Sequence, residues 1–160
     1  MRKRADIEVR IDPSCEEPVI VIRTARRTRE VEAIIRAIED SLGAESPPIP
    51  GQRGGATYLL DQRDITRLYV EARKVRICSA GEVYESGRSL SYLEQQLDPE
   101  RFMRISRFEI VNLREIESFD FSMAGTVYIR FGDGSVTWAA RRYVGAIHRM
   151  LQRLSAGKGE

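Results

Sequence analysis

The sequence predicts a mainly β protein, α+β overall, made of stacked small antiparallel sheets with a short central helix and a C-terminal helix, preceded by a small ββα appendage. Three observations predict it. Between residues 56 and 139, short apolar runs with period-two alternation are separated by turn-forming stretches, as half-buried strands require. The apolar period lengthens to that of a helix in only three places, near residues 28–42, 89–97 and 143–154. Finally, Asp133 and Gly134 sit between two strand-like runs, and Asp-Gly is a preferred two-residue hairpin turn.

Taken in order, residues 6–12 alternate and residues 19–22 are a short apolar run, with Pro13 and Pro18 marking the connection, so two strands in a hairpin are predicted. Val31, Ile34, Ile35, Ile38 and Leu42 then share one helical face. Thr24 or Thr28 can cap that helix, and Gly43 ends it. A ββα unit of residues 1–45 is too small to bury this face alone. It is expected to dock on a second copy or on the domain that follows, with dimerisation favoured. Residues 46–55, rich in proline and glycine, read as a linker and set the domain boundary. Gly51, Gly54 and Gly55 lack the following Lys-Ser/Thr of a phosphate-binding loop.

The main domain runs over residues 56–155, with a tail at 156–160. Strands are predicted at residues 57–60, 65–71, 75–78 and 83–85. In the next helix Leu90, Leu93 and Leu97 form one face, Ser91 and Glu94 suggest a capping box, and Pro99 stops the helix. Residues 101–116 place Met103 and Ile105 on one side of a strand and Arg104 and Ser106 on the other. At Arg107 the alternation breaks. Ile110 and Val111 are adjacent apolar residues, so a turn is predicted that tips Arg107 toward solvent. After residues 118–121 comes the Asp-Gly hairpin, with a type I′ turn expected. Val127, Ile129 and Phe131 would face Val136 and Trp138, which places Trp138 in the core. The last helix, about residues 143–154, would bury Val144, Ile147, Leu151 and Leu154.

With 42% apolar and 31% charged residues the chain reads as soluble and globular, and no apolar run approaches the ~20 residues that span a bilayer. Arg2, Lys3 and Arg4 lead into no apolar stretch of the kind a signal peptide needs, so a cytoplasmic location is expected. Cys15 and Cys78, without a CxxC spacing or companion histidines, read as reduced structural thiols. The net charge is only +2, but it is unevenly spread. Arg130, Arg141, Arg142, Arg149, Arg153 and Lys158 face only Asp133 and Glu160 after residue 129. Such a basic end suits docking on phosphates. No catalytic residue, cofactor or metal is expected: His148 is the sole histidine, and no nucleophile elbow, metal-ligand spacing or Walker-type loop occurs.

Phe102, Arg104, Ser106, Arg107, Ile110, Val111, Asn112 and Ile116, in this spacing, resemble the LytTR family of bacterial DNA-binding domains. The resemblance covers about residues 56–154. It departs at Ser106, where the family usually carries His, and at Phe108, where it carries a small Ser. The resemblance implies three small antiparallel sheets that bind double-stranded DNA through loops. It implies base-reaching side chains in three places, which here are Arg73 and Lys74, then Arg107 with Arg104 and Ser106, then Arg141 and Arg142. Arginine offers the bidentate fork that reads guanine and clamps phosphate. The implied protein is a cytoplasmic bacterial transcription regulator acting as a homodimer, without the receiver domain for which residues 1–45 are too few. The alternative is a protein-interaction module on the same fold with lost or weak DNA binding.

Overall fold

The computed structural model describes residues 6–42 and 46–156. The chain divides into two units, residues 1–43 and 44–160.

In the first unit, helix α1 (Arg29–Leu42) forms where the apolar spacing placed it. Thr28 starts it, its Oγ1 accepting from the Val31 N–H at 3.3 Å. The expected hairpin does not form: residues 6–28 contain no strand, and Ile7, Val9, Ile11, Val19 and Val21 are exposed. Two strands bury little unless a third strand or a helix covers one face, so alternation alone does not make a hairpin. Cys15 is exposed rather than packed.

In the second unit, residues 46–55 are not a linker. Ile49–Arg53 is strand β1, paired along its whole length with β2 (Ala56–Leu60) around the turn at Gly54 and Gly55. Gly51 in β1 permits close packing, since a Cβ there would lie 2.9 Å from the Tyr84 Cβ. Next come β3 (Ile65–Glu71), β4 (Lys74–Ser79), β5 (Glu82–Ser86), α2 (Leu90–Gln96), β6 (Phe102–Ser106) and β7 (Glu109–Asn112). These seven strands form one antiparallel sheet, β2-β1-β5-β4-β3-β7-β6. A second sheet holds β8 (Ile116–Asp120), β9 (Val127–Phe131) and β10 (Val136–Ala139), and α3 (Arg141–Ala156) follows. Two sheets thus replace the expected three, because β3 pairs with β7 through Arg67↔Val111 and Leu68↔Ile110 and fuses the first two. Residues 157–160, most of the expected tail, lie outside the described residues.

The buried residues form two cores, and the larger sheet contributes to both. One gathers Ile49, Leu68, Ile77, Leu90, Leu93, Leu97, Phe102 and Ile110; the other gathers Ile105, Val111, Val127, Ile129, Phe131, Ile147 and Met150. Ile110 and Val111 are consecutive yet belong to different cores. Their adjacency therefore marks a strand covered on both faces, and the break in alternation comes instead from the turn at residues 107–108. In β6 the pairing shifts at Ile105, a bulge that lets Phe102 serve one core and Ile105 the other.

The closing hairpin corrects the sequence reading by one residue. The Gly134 N–H donates to the Phe131 carbonyl at 3.0 Å and Gly134 sits at φ 86, a bulged loop in place of a type I′ turn. Thr137, not Trp138, is then opposite Ile129. A one-residue slip exchanges the faces of a strand, so Trp138 is 48% exposed and packs edge-on against Tyr128 at 4.6 Å, while Val136 is also outward. In α3, Met150 and Leu151 close the apolar stripe and Leu154 is exposed. His148 lies on the exposed side, stacked on Phe121 at 4.5 Å.

Two buried amides join elements in ways that local pattern does not show. Gln62 donates to the Pro47 and Gln96 carbonyls at 2.8 and 2.9 Å and accepts from the Asp98 N–H at 2.9 Å, tying β1 to the end of α2. Asn112, fully buried, donates to the Ile65 carbonyl at 2.7 Å and accepts from the Arg114 N–H. Ser89, rather than Ser91, caps α2 by accepting from the Tyr92 N–H at 3.1 Å.

Candidate nucleic-acid interface

The register of the larger sheet brings the expected loops together. Tyr69 of β3 pairs with Glu109 of β7, and one step on the Val70 N–H donates to the Phe108 carbonyl at 2.9 Å. The β3–β4 turn at Ala72 and Arg73 therefore lies beside the β6–β7 turn at Arg107 and Phe108, about two strand spacings or ~10 Å away. The third segment joins at the same end. The Ala140 N–H donates to the Ile105 carbonyl at 2.8 Å, which fixes the start of α3, with Arg141 and Arg142, against the end of β6.

The turns themselves have defined backbone geometry. Ala72 and Arg73 both have positive φ, 49 and 63, the conformation of a type I′ turn made without glycine. In the other turn the Ser106 Oγ accepts from the Phe108 N–H at 3.2 Å. The phenyl of Phe108 is 56% exposed, with the Arg107 guanidinium 5.7 Å from its ring centre.

The seven sequence-chosen residues divide by what their side chains touch. Arg73, Arg107 and Arg142 are exposed and make no ion pair among the described residues; Arg142 lies 5.6 Å from the Tyr143 ring centre. Arg141 lies against Gly125. Lys74 pairs with Glu85 at 3.3 Å. Ser106 serves the turn, as above. Arg104 points back into the protein: only 18% of its side chain is exposed, its Nε donates to the Ser106 carbonyl (2.8 Å), its Nη2 to the Arg107 carbonyl (2.5 Å), and its Nη1 meets Glu94 Oε2 (2.6 Å).

The acids near this end are neutralised by cations other than Arg73, Arg107 and Arg142. Glu71 lies 3.5 Å from Arg76, Glu85 pairs with Arg76 and Lys74, and Glu94 with Arg104. Glu109 pairs with Arg67 at 3.2 Å and accepts from Thr137 Oγ1 at 2.6 Å, a polar link between the two sheets. Arg67 also lies 4.9 Å from the Tyr69 ring centre. Beside it, burial pushes the Cys78 thiol up, away from the reactive thiolate. Sequence reasoning missed Glu94, Glu109 and Arg67. Only Glu94 carried a signal, as a suspected capping residue, and that signal pointed elsewhere.

Among the described residues no group of three or more His, Cys, Asp or Glu could hold a metal, and no helix is long and apolar enough to cross a membrane.

Two sheets, α2 and α3 with loops gathered at one end define a β-rich fold in which no two helices are consecutive among the described residues, so no helix-turn-helix pair exists there. The same fold occurs in a solved LytTr DNA-binding domain from Bacillus cereus, with TM-score 0.63, 16% identity, and coverage of 66% of this chain and 96% of that one. Residues 55–152 match the LytTr DNA-binding domain family, and the chain belongs to that family. Uncharacterised HTH-type transcriptional regulators of Staphylococcus aureus, from strains NCTC 8325 and COL among others, are 27% identical over 135 residues, 84% of this chain and 90% of theirs. Strand β1 precedes the matched range yet completes the sheet.

Proposed function

We propose that this protein is a bacterial transcription regulator that binds double-stranded DNA sequence-specifically, with Arg107 and Arg142 entering successive major grooves and Arg73 contributing from the neighbouring turn. The observation that carries this reading is the gathering, at one end of the sheet, of three loops whose exposed Arg73, Arg107 and Arg142 have no ion-pair partner among the described residues, while the acids around them are paired elsewhere. An unpaired guanidinium in solvent is ready to exchange water for phosphate or a guanine edge. Binding to genomic fragments should weaken with salt at a log-log slope of about −0.9 per phosphate neutralised. Absence of any complex at ~50 mM salt would sink this reading and favour a protein-interaction module.

The protein acts as a homodimer on repeated half-sites, joined through α1. Val31, Ile34, Ile35 and Ile38 line one face of a helix in which no residue is fully buried. An isolated helix of 14 residues is marginal in water, so a second copy of that face supplies the missing packing. Removing residues 1–43 should leave a folded, monomeric, weaker DNA binder. A truncation reaching residue 50 would cut into β1. Light scattering that still reports a dimer for the shorter deletion would place the interface elsewhere.

A further inference from the structure

We infer that Glu94 and Arg104 form a clasp that positions the Arg107 turn for DNA, so that an acidic residue on α2 supports sequence-specific binding. This rests on the DNA-binding reading above. It concerns positioning residues, not contact residues.

The geometry begins with the turn. The ladder closes at Ser106↔Glu109, after the Ile105 bulge, and the Ser106 and Arg107 carbonyls both lie within reach of Arg104. Arg104 satisfies both, at 2.8 and 2.5 Å, from one planar group. Without the guanidinium these carbonyls would bond to water instead, and the exposed turn would be freer to take other backbone conformations. Only a guanidinium has donors spread widely enough to hold two carbonyls and a carboxylate at once.

Glu94 supplies the third contact, at 2.6 Å, and it stands on a firm base. Helix α2 is capped by Ser89 and fixed in the core by Leu90 and Leu93. The carboxylate thus orients the fork and offsets its charge. That charge matters because Arg104 and Arg107 share one turn, and two uncompensated cations there would repel. With Arg104 neutralised and turned inward, Arg107 remains the outward cation. Three of the five N–H donors of Arg104 are engaged, which leaves it poorly placed to hold a phosphate as well.

The sign of one substitution separates this arrangement from an ordinary surface charge. Removing a carboxylate near bound DNA normally strengthens binding to all sequences, because a repulsion is lost. If Glu94 orients the turn, Glu94→Ala instead weakens binding to the selected DNA site, by roughly tenfold for one charged hydrogen bond, while affinity for scrambled duplex holds or rises. Arg104→Lys keeps the charge but cannot span the three acceptors, so it should lower the specificity ratio with the salt slope unchanged. Arg104→Gln should also leave the slope unchanged.

The full-length protein and both variants of each residue, Glu94→Ala and Glu94→Gln with Arg104→Lys and Arg104→Gln, would be titrated against selected and scrambled duplexes at several salt concentrations. Thermal melting and backbone amide NMR shifts would be recorded on the same samples. A fall in specificity ratio for Glu94→Ala, with shifts at residues 106–108, supports the clasp. Tighter binding of Glu94→Ala to both duplexes, equal losses on both, or a slope about one unit shallower in Arg104→Gln overturns it. Should the unmodified protein bind no DNA, the functional reading fails by itself. The NMR arm then decides the clasp: unchanged amide shifts at residues 106–108 in Glu94→Ala would overturn it.

Discussion

A double variant, Arg107→Ala with Arg142→Ala, is expected to lose about 2–6 kcal/mol of discrimination between its selected DNA site and scrambled duplex, taking ~1–3 kcal/mol for each bidentate arginine–guanine pair. Both side chains are exposed and neither has an ion-pair partner among the described residues, so their removal disturbs only their approaches to the neighbouring Phe108 and Tyr143 rings, at 5.7 and 5.6 Å. They sit on different elements without a shared partner, and the two losses should add. The thermal midpoint should stay close to that of the unmodified protein. Affinities for both duplexes at several salt concentrations check the result. A specificity ratio equal to that of the unmodified protein would show that these loops are not the reading heads, even though the fold and family stand.

Phe131→Ala is expected to cost about 3–5 kcal/mol of stability, since it empties a fully buried aromatic site in the core under α3. It also removes a ring 5.8 Å from the Arg67 guanidinium, next to the Arg67–Glu109 pair that links the sheets. The corresponding fall in melting temperature is on the order of 10–20 °C. Trp138→Ala is the informative comparison. Tryptophan is the larger side chain, and the sequence placed it in the same core. Yet it is half exposed and contacts Tyr128 on the outer face, so its loss should cost no more than ~1 kcal/mol. Denaturant melts of the two variants would rank them. A larger loss for Trp138 would mean that the bulge at Gly134 does not set the register in solution.

Much of the main domain was legible because its signals are local. Strands β2 to β5, the Leu90/Leu93/Leu97 face of α2 and the turn at Arg107 each follow from residues within one or two turns of one another. Two misreadings, the first hairpin and the linker, concerned sheet pairing that local pattern does not settle, whereas the Gly134 turn and the Ser89 cap were local choices between neighbouring residues. Residues 6–12 alternate as a strand does, but no sheet receives them. Pro47, Pro48 and Pro50 suggested a linker, yet Ile49 is buried and β1 pairs with β2 on one side and reaches β5 on the other.

The site shows the same division. By itself the sequence offered seven candidates for DNA contact, Arg73, Lys74, Arg104, Ser106, Arg107, Arg141 and Arg142, as the family resemblance implies. Local spacing carries that resemblance, because residue chemistry and the period of an element are short-range properties. Only the tertiary structure decided which of the candidates face outward together. The β3–β7 register and the Ala140–Ile105 hydrogen bond gather the three loops at one end, while Glu94, ten residues away on α2, pairs with the inward-lying Arg104. Charge pairing falls off within a few ångströms, and the distances that select one partner over another are set by packing, which no single segment of sequence contains.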